Sequence, residues 1–274
     1  MLLCATIVAA LASGAQPAIA ASEPAPKRAV KMLNAWRAKV GVPPVAYDPA
    51  ATRGCRAHAN YFRINRTTGH FESPSRPGFT KRGQTAAQQS VLSYGLLSSR
   101  DGPYLWENAP YHRTGLLHPY LAKVGFWNQH GLACMGSVWT RKDASVPKLE
   151  AYTYPYAGQR GVKTTFRCNE SPNPCTVVRG NRGRKPTGLI STVQFAGPWE
   201  GGEQVGPRVT RAKLVRAGGR AVAVTVEDRR SKRSANLGDG LSIIPNRPLR
   251  PSTWYRATVV GTFGYRRSTI EPEP

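Results

Sequence analysis

A chain of 274 residues has room for one large domain or two ordinary ones, and its 40% apolar content can fill real cores. The 23 Pro and 27 Gly favour turns and connections over long helices, and no internal run is long enough for a membrane-spanning helix. The 39 Lys and Arg against 15 Asp and Glu leave a formal net charge of +24, a field that favours anionic cell-envelope polymers or lipids as partners; no nucleic-acid motif accompanies it, which argues against nucleic acid.

The first twenty residues, MLLCATIVAALASGAQPAIA, read as an export signal: an apolar stretch from Leu2 to Leu11, then the small-residue pattern Ala18-x-Ala20. The stretch lacks a charged leading region, which points to a displaced start. Cys4 lies too far from the cleavage pattern to be a lipid-attachment site. The expected product is a secreted, extracellular protein beginning near Ala21. Four cysteines then remain, Cys55, Cys134, Cys168 and Cys175, an even number that in an oxidising compartment implies two disulfides among three pairings. Cys168 and Cys175 are close in sequence around Pro172 and Pro174, so we pair them locally, which leaves Cys55 with Cys134. Their spacing fits no zinc ribbon.

In the next segment, Val30, Leu33, Trp36 and Val40 form a helical apolar stripe that Gly41 stops. Asp48 then caps a second helix with Pro49 at its first position, carrying Cys55, Ala59 and Phe62 on one side and His58 between them as a packed or hydrogen-bonded histidine. Gly69, Pro74, Pro77, Gly78 and Gly83 make the following stretch a loop. QTAAQQSVLSYGLL reads as a third helix, and a short helix is expected near GLLHPYL. AKVGFW and ACMGSVWT, joined by NQHG, form an antiparallel hairpin, and LEAYTYPY is a further extended segment.

Beyond Cys168 the texture changes to short β-rich runs: TGLISTVQFAG, RVTRAKLVRAG, RAVAVTVED, LSIIPNRPL and TWYRATVVGTF. Gly218-Gly219 stands as a turn in the middle. Such spacing suits an all-β sandwich. The expected organisation is a signal peptide over 1–20, a mixed α+β domain over 21–171 and a β-domain over 172–274.

Two histidine neighbourhoods could carry chemistry. GHFE places His70 and Glu72 on an irregular segment, and WENAPYHR places Glu107 and His112 ahead of the short helix. A metal or acid/base site needs such groups brought together across the sequence. His118, beside Pro119, reads as a helix-end residue, and His130 as a hairpin-turn residue.

The helix CRAHANYF, the loop GHFE, the run WENAPYHRTGLLHPYLAKVGF and the hairpin after it resemble the CAP superfamily of cysteine-rich secretory, antigen 5 and pathogenesis-related proteins, in its bacterial form, over roughly residues 27 to 160. IIPNRPLRPSTWYRATV is similar to the Ig-like β-domains that follow some bacterial members. The resemblance implies a CAP-like α-β-α sandwich followed by an all-β Ig-like sandwich. It also implies a cleft that in some members holds a divalent metal such as zinc on two His and two Glu. By position these His are His70 and His112. The carboxylates transfer poorly, because Gly83-Gln84-Thr85 stands where Gly-Glu-Asn is usual, and Gln84 supplies no charge. Glu72 and Glu107 are the substitutes to consider. The implied function is non-enzymatic binding of a cation or small ligand in this cleft. The alternatives are a metal-dependent hydrolase or protease using His70, His112 and Glu72, and a basic structural protein of the envelope. No Ser-His-Asp signature or His-Glu-x-x-His helix supports the hydrolase.

Overall fold

The computed structural model describes residues 25–95, 102–139, 149–197, 203–231 and 234–266; the export signal lies outside them. Helix α1 (Ala25–Val40) buries Val30, Leu33 and Trp36, and ends at Gly41, whose φ of 86° only glycine adopts freely. Helix α2 (Pro49–Asn65) starts as its sequence dictates, with the Asp48 carboxylate accepting from the amides of Ala50 and Ala51. Strand β1 (Ala46–Tyr47) lies between them.

The expected third helix is corrected. Helix α3 covers Lys81–Gln88, capped by Thr80, and Ser90–Tyr94 is strand β2. Helix-tolerant residues thus yield to a long-range partner, since β2 pairs antiparallel with Leu132–Gly136 and buries Leu92. Gly83 does not break α3. An added Cβ there would meet Thr80 Oγ1 at 2.8 Å and collide with the Glu72 carboxylate, so glycine admits the loop against the helix. Helix α4 spans Pro110–Leu116, earlier than expected, because Pro110 suits a first helical turn. His112 therefore sits inside this helix rather than before it.

Strands β3 (Leu121–Gln129) and β4 (Leu132–Trp139) form the expected hairpin, with His130 and Gly131 at positive φ in its turn. The first sheet has the order β1-β3-β4-β2. Its alternating residues separate two helical layers. Val124, Phe126, Ala133 and Met135 join Leu33 and Trp36 of α1 in one core, while Leu132 and Cys134 join Cys55 and Ala59 of α2 in the other. Gly125 faces α2 so closely that a Cβ would fall 2.6 Å from the Ala51 carbonyl carbon. The Cys55–Cys134 disulfide ties α2 to β4 across this layer.

Strand β5 (Glu150–Tyr154) lies before the expected boundary at 171/172, yet it pairs with β6 (Ser191–Ala196). An irregular segment joins them, stapled by the Cys168–Cys175 disulfide. Then come β7 (Glu203–Arg216), β8 (Ala221–Val222), β9 (Val224–Glu227), β10 (Gly240–Pro245) and β11 (Tyr255–Arg266). They form two further sheets, β5-β6-β10-β9 and β11-β7-β8. Val209, Leu241 and Ile243 are buried where the two sheets face each other. The whole is an α+β fold, a three-layered helical unit with additional β-sheets. Among the described residues no helix is long and apolar enough to cross a membrane.

Candidate functional site

The histidines divide into separate neighbourhoods. His58 of α2 is buried, its Nδ1 lying 3.0 Å from Glu72 Oε1 and its Nε2 3.2 Å from the Gly69 carbonyl. The second Glu72 oxygen accepts from the amide of Thr80 at 3.1 Å. The side-chain oxygen of Gln84 accepts from the Glu72 backbone amide. Gln84 thus holds the loop that presents Glu72, a task needing an acceptor but no charge. His70 is half-buried and directs Nδ1 at the Ala87 carbonyl, 2.5 Å away, which fixes that nitrogen as the donor.

His112 belongs to a different constellation. Glu170, from the disulfide-stapled segment, accepts through one oxygen from both the backbone amide (2.9 Å) and Nδ1 (2.6 Å) of His112. The side chain of Glu170 is 1% exposed, that of His112 15%. The other Glu170 oxygen is buried with no hydrogen-bond donor among the described residues. Arg113, next in sequence, is fully buried. Its guanidinium donates to the carbonyls of Glu107 and Ile190, each at 2.7 Å, and lies 4.2 Å from the centre of the Tyr154 ring. Burial lowers its pKa to about 10, against the raising influence of Tyr154, Glu170 and Glu107, so it stays cationic at neutral pH. Glu107 accepts from the Tyr154 hydroxyl at 2.7 Å. Burial foremost, then the contact with Glu107, drives the Tyr154 pKa upward, and the phenol remains protonated.

Glu107 is therefore a buttress of the α4 region rather than a solvent-facing residue. Sequence reasoning passed over both Arg113 and Glu170. The only signal for Glu170 is an acid inside the short loop CNESPNPC, whose staple restricts where it can point. His118 lies just past α4, with Nδ1 accepting from the Tyr120 amide at 3.2 Å. Among the described residues, no group of three or more His, Cys, Asp and Glu is arranged to hold a metal ion. Glu72 is committed to His58 and Thr80, and His70 and His112 each donate through Nδ1 to different partners. Among the described residues the four proposed ligands are not drawn into one group, and Nε2 is the nitrogen that His70 and His112 each leave for a ligand.

A cavity of about 750 Å³ opens elsewhere, between the sheets β5-β6-β10-β9 and β11-β7-β8. Val193 and Phe195 of β6, Leu241 and Ile243 of β10, Leu214 of β7 and Val259 of β11 contribute to its wall. At one end Phe195 stacks on Phe263 with centroids 5.0 Å apart. Toward the other, Trp254 is half exposed with the Arg160 guanidinium 5.1 Å from its ring centre. The inner faces of β5 and β11 are incompletely covered, since Ala151, Thr153 and Ala257 line the cavity yet remain exposed. The size falls within the range of small-molecule sites, and the lining is mainly apolar.

The family model of the Cysteine-rich secretory protein family (CAP) matches residues 30–127. No curated protein matches the chain. Similar solved structures include an extracellular protein containing a SCP domain from Bacillus anthracis, at 15% identity and a TM-score of 0.36, covering 42% of this chain and 40% of that one. An outer surface protein of Borrelia burgdorferi is 17% identical with a TM-score of 0.33, covering 42% of this chain and 92% of that one.

Proposed function

We propose that this chain, whose residues 30–127 match the CAP family model, is an extracellular, non-enzymatic binding protein that takes an elongated apolar small molecule between its additional β-sheets. The 750 Å³ cavity carries this reading, because apolar walls that the protein leaves uncovered gain stability when a ligand removes them from water. The β-rich half is the ligand-holding module, Ig-like in its pair of facing sheets. The two disulfides suit an oxidising compartment, in keeping with export. On this reading the ligand lies outside the histidine neighbourhoods, whose side chains are engaged in holding loops.

The test uses the apolar fluorescent dye N-phenyl-1-naphthylamine with the full mature chain. Saturable binding is expected, weakened at least tenfold by Val193→Phe and Ala257→Phe, which add bulk to opposite walls, with unfolding temperatures retained. Dye affinity unchanged in both variants would refute the cavity as the site.

One observation favours a hydrolytic second reading. A carboxylate that accepts from Nδ1 of a histidine fixes the tautomer and leaves Nε2 as the basic nitrogen, the arrangement of an acid/base pair. On that reading His112 is the base and Glu170 its positioning residue. Turnover of an ester or peptide panel that vanishes in His112→Ala, and persists in Glu72→Gln, would establish it over binding alone.

A further inference from the structure

The outer face of the β7–β11 ribbon carries a row of cations whose alignment depends on a bulge. Gly261 pairs with Val209 and Val260 with Arg211, so Thr210 is the extra residue on β7. Strict alternation along a strand would put Arg208 and Arg211 on opposite faces. The extra residue resets the phase. Val209 and Leu214 turn inward and are buried, Ala212 is half-buried with them, and Arg208, Arg211 and Lys213 are all exposed. Arg256, paired with Val215 two residues beyond Lys213, continues the row on the neighbouring strand. Thr258 stands opposite Lys213 and Val260 opposite Arg211, both exposed, and no Asp or Glu occurs in 206–216 or 255–262. None of the three β7 cations has an acidic partner among the described residues.

We propose that this face docks a linear polyanion, an extended polymer bearing phosphate or carboxylate groups, lengthwise along the ribbon. Outward side chains two residues apart on a strand recur about every 7 Å, so the row from Arg208 to Arg256 extends roughly 20 Å. A row of that form presents successive charges to a chain-like partner, whereas a compact anion would engage one or two. The β7 cations are long and have no ion-pair partner among the described residues, so neutralising them breaks no ion pair described there. The net charge of +24 supplies long-range attraction, and the row supplies the place where contact is made. Arg256 also lines the apolar cavity, whereas Arg208, Arg211 and Lys213 do not, and the row does not depend on a ligand there.

The probe is linear inorganic polyphosphate, titrated against the full mature chain at several NaCl concentrations. The expected result is affinity that falls linearly on a log–log plot with salt, as counterion release requires. The triple variant Arg208→Gln, Arg211→Gln, Lys213→Gln should lose at least tenfold in affinity at 0.1 M NaCl, and its slope should flatten by about 2. A control triple, Lys27→Gln, Lys39→Gln, Arg53→Gln, removes the same charge from exposed helical positions and should lose less than threefold. Thermal unfolding checks that both fold. Equal losses in the two triples would overturn the proposal in favour of a diffuse field, as would no loss in either. Binding to anionic phospholipid vesicles that depends on the row, without binding to polyphosphate, would also overturn it.

Discussion

Replacing Arg113 by Met isolates what holds the α4 region to the β-sheets. The guanidinium makes two 2.7 Å bonds to the Glu107 and Ile190 carbonyls and packs on Tyr154, while also drawing field from Glu170 and Glu107. Charged hydrogen bonds of this kind contribute roughly 1.5–3 kcal/mol each, so losing both costs about 3–6 kcal/mol. The stacked cation adds about 1–2 kcal/mol in a desolvated setting. Against this, Met carries no charge to desolvate, a relief of several kcal/mol in a fully buried position. The net expected loss is about 3 kcal/mol, since two buried carbonyls and the Glu170 carboxylate lose their cation without replacement. For a chain of this size that corresponds to a fall of roughly 6–12 °C in unfolding temperature. Differential scanning calorimetry or tryptophan fluorescence on the oxidised protein reads it directly. Arg113→Lys should recover less than half of the loss, because an ammonium reaches one carbonyl but lacks the planar fork. A fall of less than 2 °C in Arg113→Met would refute the reasoning and make the guanidinium a passive filler.

Other positions give smaller or different signatures. Losing the Cys55–Cys134 bridge, which spans 79 residues, should cost about 4.5 kcal/mol in the chain-entropy estimate, whereas the Cys168–Cys175 bridge, spanning 7, should cost about 2.5 kcal/mol; paired serine variants compared in urea unfolding give the order. His58→Ala strips the buried Glu72 of its partner and should destabilise by about 3 kcal/mol, while His70→Ala, at a half-buried site with one bond, should cost less than about 1.5 kcal/mol in the same assay. Gly125→Ala drives a methyl into the Ala51 backbone and should cost about 1–3 kcal/mol despite better strand propensity. Equilibrium dialysis against zinc should give no stoichiometric ion whose retention depends on His70 and His112; one equivalent lost in both alanine variants would show that these ligands converge after all.

The fold was most legible where the determinants are local. The stripe of Val30, Leu33 and Trp36, the Asp48-Pro49 helix start and the His130-Gly131 turn each act within a few residues, and all three stand as read. Ser90–Tyr94 was misread because its own composition tolerates a helix. What makes it a strand is β4, about forty residues away, which no local window contains. The same applies to β5. Nothing inside EAYTY tells that its partner is β6 across the irregular 155–190 segment rather than the hairpin before it. The β-runs after Cys168 were visible as strands, but their division between two sheets was not, because alternation records a strand's faces and not its neighbours.

The histidine sites show why residue type and order of motifs fall short of a site. Both His70 and His112 stand at positions where the CAP resemblance implies ligands, yet what a ligand can do depends on the carboxylates that reach it. For His58 that carboxylate is Glu72, fourteen residues on, and the pair is closed by Thr80 and Gln84. For His112 it is Glu170, fifty-eight residues on, delivered by a seven-residue disulfide step outside the matched 30–127 segment. A carboxylate that accepts two bonds from one residue has one remaining oxygen for anything else, and on Glu170 that oxygen is buried. The C-terminal part of this chain thus completes the neighbourhood of a histidine that the matched 30–127 segment alone leaves without its partner. Substituting within 30–127 while ignoring 168–175 would misattribute the outcome. Glu170→Gln keeps an acceptor for the His112 amide but removes the charge beside Arg113, so its effect on Arg113→Met should be strongly non-additive. Additive losses in the double variant would separate the two residues and leave the loop as a cover rather than a strut.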